Sequence, residues 1–162
     1  MKMPNLCNRL CRTLARLQPA VADAVLLFTR VSVGWSFFLS GRGKLSNFER
    51  TTAFFTDLGL PAPGFHAGLV GGLEMVGGLL LLAGLCARVI SLPLAGTMVV
   101  AYLTAHRDEA FASLGDFVDQ PPFAFLLGTL VVLAWGPGRW ALDRLWRRSF
   151  SSGDPDDTVS SR

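Results

Sequence analysis

Three ionisable side chains stand where ionisable side chains are rare. Arg30, Lys44 and Glu74 lie within, or at the edge of, long apolar stretches. A charge in hydrocarbon costs about 2.5–3.5 kcal/mol on insertion scales, so each must turn inward to a partner or a ligand. Arg30 shares a helical face with Gly34, Phe37, Gly41 and Lys44, at offsets of 4, 7, 11 and 14. Glu74 has Gly71, Gly77, Gly78 and Leu81 on its side. Small residues allow two helices to approach closely, and a polar group there finds a partner on its neighbour. The chemistry open to this set is ion pairing, or the polar lining of a small pocket whose apolar face comes from Phe37 and Phe38.

Depth favours an Arg30–Glu74 pair. Counted at 1.5 Å per residue from Asp23 and from His66, the two α-carbons differ in depth by roughly 8 Å in a ~30 Å core. Long side chains cover that distance, and Lys44 is the rival partner. Such a pair can serve a ligand or simply tether two helices. A second polar group comprises His66 and His106, which fall at helix ends near Asp108 and Glu109. They suit the rim of a proton-handling pocket, or plain interfacial positions. Two histidines without a third ligand at fixed spacing do not make a metal site. There is no P-loop, GxGxxG, haem-attachment motif or hydrolase triad, so no residue is assigned a catalytic role.

The elements that hold these residues are apolar blocks: Asp23 to Ser40, His66 to Cys86, Val89 to Ala105 and Pro122 to Trp135. The 162-residue chain has a mean hydropathy of +0.42 and only 17% charged residues. Runs such as Leu79 to Leu82 leave no charged outer face, and helices apolar all round sit in lipid. Trp135, Trp140 and Trp146 follow the last block as interfacial aromatics do. The expected fold is all-α: an integral membrane four-helix bundle with an interfacial amphipathic helix at the N-terminus and another, short, in the first outer loop. Residues 1–22 form the first of these, with Leu6, Leu10, Leu14 and Leu17 opposite Arg9, Arg12 and Arg16. Residues 23–148 form the membrane domain and 149–162 a disordered cytoplasmic tail. The loop helix carries Phe48, Thr51, Thr52, Phe54, Phe55 and Leu58, and the run Gly59 to Gly64 stops it.

A net charge of +3 and a pI near 9.1 raise the question of nucleic acid, but the basic residues flank spans and form no groove-binding patch. Of the fifteen Lys and Arg, ten fall in the N-terminal segment, at Arg88 and in the C-terminal segment. Four fall in the other two loops, and Arg30 lies within a span. That bias places both termini in the cytoplasm of a bacterial inner membrane protein. Cys7, Cys11 and Cys86 then face a reducing compartment, where structural disulfides are not expected.

Several stretches resemble one family. Arg30-x3-Gly34-x3-Phe38-x2-Gly41-x2-Lys44-Leu45 resembles the first-span signature of the DoxX family. The segment Asp57 to Pro63 is similar to that family's outer loop, and Gly72 to Arg88 to its second span, with the glutamate, glycines and closing arginine in place. The likeness extends from Ala24 to Arg144 and includes Gly136–Pro137–Gly138 and Asp143. The cysteine-bearing N-terminus and His106 to Glu109 lie outside it. The resemblance implies a four-span membrane protein linked to redox systems or to metal-handling peptide systems. It also implies a redox or metal-handling partner protein and leaves room for a homo-oligomer.

Three functions remain open on the residues. One is an accessory subunit or anchor for a redox system that binds quinone or quinol through Arg30, Glu74 and the Phe37/Phe38 face. Another is a small transporter with Arg30, Lys44 and Glu74 along its path. The third is a non-catalytic scaffold.

Overall fold

The computed structural model describes residues 5–143, with side chains from residue 15 onward except Glu109; the expected tail at 149–162 and the side chains of Cys7 and Cys11 lie outside the described residues. Seven helices account for most of that span: α1 (Asn5–Ser46), α2 (Phe48–Asp57), α3 (Pro63–Ala83), α4 (Ala87–Leu103), α5 (Arg107–Ala110), α6 (Leu114–Asp119) and α7 (Pro122–Trp135). Helices α1, α3, α4 and α7 pack as a ring, α1 on α3, α3 on α4, α4 on α7 and α7 on α1. Helix α1 from Ala15 onward and α3 are long and apolar enough to cross a membrane; α4 and α7 are shorter apolar helices. Outward faces are apolar, as with Phe28 at 74% and Val89 at 69% exposure, a surface that suits acyl chains and not water.

No boundary separates the N-terminal helix expected at residues 1–22 from the first span: the described part of it, from Asn5, is continuous with that span in α1. Helix α1 runs unbroken for 42 residues, through Pro19 and on past Gly41–Arg42–Gly43–Lys44. Nothing between Gln18 and Asp23 supplies a left-handed residue, and α1 continues through Pro19 although its ring crowds the preceding turn and it has no N–H to donate. Of the two glycines near the C-terminal end of α1, Gly41 is a contact point with α3 and Gly43 has open space around it, and neither stops the helix. Helix α2 occupies the expected loop position and buries no residue. Gly59, at φ +70°, and Pro63, at the first position of α3, separate the two.

At the opposite end, α3 stops in a Schellman turn. Gly84 adopts φ +69°, its N–H donates to Leu81 O, and Leu85 N–H donates to Leu80 O at 2.9 Å. Cys86 follows, also left-handed at φ 48°, and α4 begins at once. The ring therefore has a turn end, at Gly84–Cys86, and an α2 end.

The closest packing is between α1 and α3. Gly34 lies against the backbone of Gly78, and Gly41 against Gly71 and Met75. The glycines are seven residues apart on both helices, so two close contacts recur two turns apart along antiparallel axes. Phe37, Leu81, Ala87, Leu94, Met98 and Val132 fill the middle of the ring, and Phe37 meets Phe125 edge-on with ring centroids 4.8 Å apart.

Candidate functional site

The glycine register decides which charges meet. Gly34 faces Gly78, and one turn towards the turn end Arg30 comes against Gly84. Glu74 lies ten residues back along α3, about 15 Å from that level at 1.5 Å per residue. Arg30 and Glu74 therefore do not pair, contrary to the depth count. That count took both helices to start at the edges of their apolar blocks, whereas the glycine contacts set their relative height.

Arg30 is tied to the polypeptide that follows α7. Its guanidinium donates to Pro137 O at 2.8 Å and to Trp140 O at 3.2 Å, while Nε has no partner among the described residues. Around it, Asp143 Oδ1 accepts from Cys86 N–H at 2.9 Å, and Asp23 Oδ1 accepts from Arg139 N–H at 3.1 Å. Gly136 and Gly138, both at positive φ, let the chain double back beneath α1. Arg30 thus caps exposed carbonyls after a helix end, a structural tether made by a buried cation.

Glu74 pairs with Lys44. Lys44 Nζ donates to Glu74 Oε2 at 2.5 Å and to Ser40 Oγ at 2.8 Å. The glutamate is 1% exposed and the lysine side chain 28%. Because α1 continues to Ser46, Lys44 sits on the last turn of the helix and reaches back one turn to the level of Glu74. Ser40, four residues before Lys44, shares its face and completes a three-membered polar cluster. Its position was visible as an i, i+4 relation, but a serine in an apolar run carries no cost large enough to draw notice.

The cluster lines a cavity of about 560 Å³ near the α2 end. Phe54 and Phe55 of α2 and Leu58 just after it cover it; Leu69 and Val70 of α3, Pro93, Gly96, Thr97 and Val100 of α4, and Phe125 of α7 complete its walls. His66 and His106 both line it too, so these two sequence-distant residues come to one cavity with Lys44 and Glu74. Asp108 is exposed and does not line it, and Glu109 has no described side chain. Phe37 and Phe38 are also elsewhere: Phe37 is in the core, and Phe38 packs beside Trp35 and against Gly78. Their expected place is taken by the aromatic residues of α2 and by Phe125. On its other side Lys44 borders a shallow cleft of about 410 Å³ with Asn47 and Arg50. Among the described residues no group of three or more His, Cys, Asp or Glu is placed to hold a metal ion.

Fold and site together define a helical membrane protein with a buried lysine–glutamate pair at an apolar cavity. The chain belongs to the DoxX family, whose model matches residues 25–107. It is 33% identical over 149 residues to an uncharacterized membrane protein of Mycobacterium tuberculosis, covering 85% of this chain and 91% of that one. It is 31% identical over 117 residues to the Bacillus subtilis protein named "Putative oxidoreductase CatD", covering 72% and 83%. The Escherichia coli inner membrane protein YqjF is 27% identical over 128 residues, covering 79% and 96%. No solved structure matches the chain.

Proposed function

We propose that this protein is an accessory membrane subunit that binds a quinone or quinol for a redox partner protein. The observation that carries this reading is the Lys44–Glu74 pair on the wall of a mainly apolar cavity. A quinone presents only acceptors, which the lysine ammonium satisfies; a quinol presents hydroxyl donors, which the carboxylate satisfies. One fixed pair therefore recognises both redox states, and the cavity is of the size usual for small-molecule sites. The name of the Bacillus subtilis relative is in keeping with a redox setting. The transporter reading is weaker. A permeation path would have to join Glu74 to the turn end, and Phe37, Leu81, Leu94 and Val132 fill the space between, each 0% exposed.

Purified protein in lipid nanodiscs should bind a tail-less naphthoquinone saturably. The isosteric Glu74→Gln variant should keep affinity for the quinone and lose about tenfold for the quinol, the equivalent of one charge-assisted hydrogen bond. Equal affinities of wild type and variant for both redox states would refute the assignment.

The same reading has four spans, with both termini in the cytoplasm and the α2 end outside, supported by the ten-to-four bias in Lys and Arg. Reporter fusions after Arg88 and at Arg162 should then read cytoplasmic, and fusions at Pro61 and Gly115 external. A cytoplasmic signal at Pro61 overturns this topology.

A further inference from the structure

The cavity has one wall that borders lipid instead of another helix. Near the turn end α3 and α4 touch closely, where Gly77 accommodates Leu94 and Ile90. Towards the α2 end they stand apart, with Leu69 of α3 on one side of the cavity and Gly96 and Val100 of α4 on the other. These three residues line the cavity and are also exposed on the outer apolar face, Leu69 at 53% and Val100 at 50%. A residue that borders both a cavity and the surface marks a mouth. The threonine hydroxyls at this mouth are already engaged: Thr97 gives its hydroxyl to Leu94 O and Thr104 gives its own to Val100 O, both at 2.7 Å. A side chain built at Gly96 would meet nothing within 4 Å, so the gap beside it is open space.

We infer that the ligand enters sideways from the bilayer between α3 and α4, and that it is a lipid-dissolved molecule with a long apolar tail. The polar head docks on Lys44 and Glu74, and the tail remains in the gap and runs out among the acyl chains. The cavity, at about 560 Å³, holds a ring head with a short stem but not an extended polyprenyl chain, so a tail must leave through an opening whose threonine hydroxyls are already hydrogen-bonded. On the side next to α2 the cavity is lined by Phe54 and Phe55 of that helix. This inference rests on the quinone-type reading of the cavity and adds to it where the ligand comes from and which part of it stays in lipid.

The test compares a long-tailed quinone dissolved in nanodisc lipid with the tail-less naphthoquinone added from water. The variants are Gly96→Trp, which fills the mouth, and Gly72→Trp, which also has open space around it but lies away from the cavity. Gly96→Trp should weaken binding of the tailed compound about tenfold more than that of the tail-less one, because the tail competes directly with the indole. Gly72→Trp should change neither. Leu69→Trp repeats the obstruction from the facing helix, in case Gly96→Trp does not fold. If both compounds bind the mouth variants as they bind wild type, or lose affinity equally, the side entrance is wrong and the quinone site stands. If wild-type protein binds neither compound, the quinone reading falls and this inference falls with it.

Discussion

Gly41→Ala is expected to break the bundle, although it adds a single methyl group. The new carbon would lie 2.6 Å from Gly71 O and 2.8 Å from Met75 Cα, well inside the ~3.5–4.0 Å of ordinary contact. Both atoms belong to the backbone of α3, so no rotamer change relieves the overlap. Overpacking typically costs about 1–3 kcal/mol, and a rigid neighbour puts this case at the top of that range or above it. Gly78→Ala should behave alike, with its carbon 2.6 Å from Gly34 O. Gly43→Ala is the control, since nothing stands within 4 Å of its position. Thermal unfolding in detergent, followed by size-exclusion chromatography, reads the difference. A Gly41→Ala protein as stable as wild type would mean that α1 and α3 do not meet at this seam.

The second large effect concerns the ion pair. Lys44→Met should cost about 3–5 kcal/mol, because it leaves the carboxylate of Glu74 uncompensated in an apolar setting. Lys44→Met with Glu74→Leu should recover most of that loss, since replacing both members of a buried pair with apolar groups is often close to neutral. The resulting cycle should show strong coupling. A cycle between Arg30→Met and Glu74→Leu should be additive, because Arg30 serves Pro137 and Trp140 at the far end. Losing those two charge-assisted bonds carries its own cost of roughly 1.5–3 kcal/mol each. Coupling between Arg30 and Glu74 without coupling between Lys44 and Glu74 would reverse the assignment.

The inward faces were legible from residue spacing, because a buried charge and a glycine stripe both mark the side of a helix that meets protein. Arg30, Gly34, Phe37 and Gly41 are all buried, as are Gly71, Glu74, Gly77, Gly78 and Leu81. The last apolar block, Pro122 to Trp135, coincides with α7, where prolines and Gly136 punctuate both ends. The relative height of α1 and α3 was not legible. Height depends on which glycines nest together, a pairwise property that neither helix carries alone. Choosing Gly34 with Gly78 moves Lys44 to the carboxylate and Arg30 to the turn end. The cavity was hidden for a similar reason: its walls come from α1, α2, α3, α4 and α7, and Gly96, Thr97 and Pro93 carry no signal in an apolar run. Phe37 and Phe38 illustrate the ambiguity of aromatic residues, which fill cores more often than they line pockets.

The seam of glycines also divides the molecule mechanically. Where backbones touch without intervening side chains, no rotamers remain to adjust, and α1 and α3 can move only as a single stiff body. Lys44 and Glu74 stand one on each of those two helices, so the distance between them is held by the stiffest joint in the bundle. The opposite wall is α4, which contains Pro93 and so lacks one backbone hydrogen bond in its middle. Widening the gap for an incoming molecule therefore falls to α4 alone. On the proposed reading the cavity would work as a vice with one fixed jaw, and the charges that grip would be mounted on the jaw that does not move.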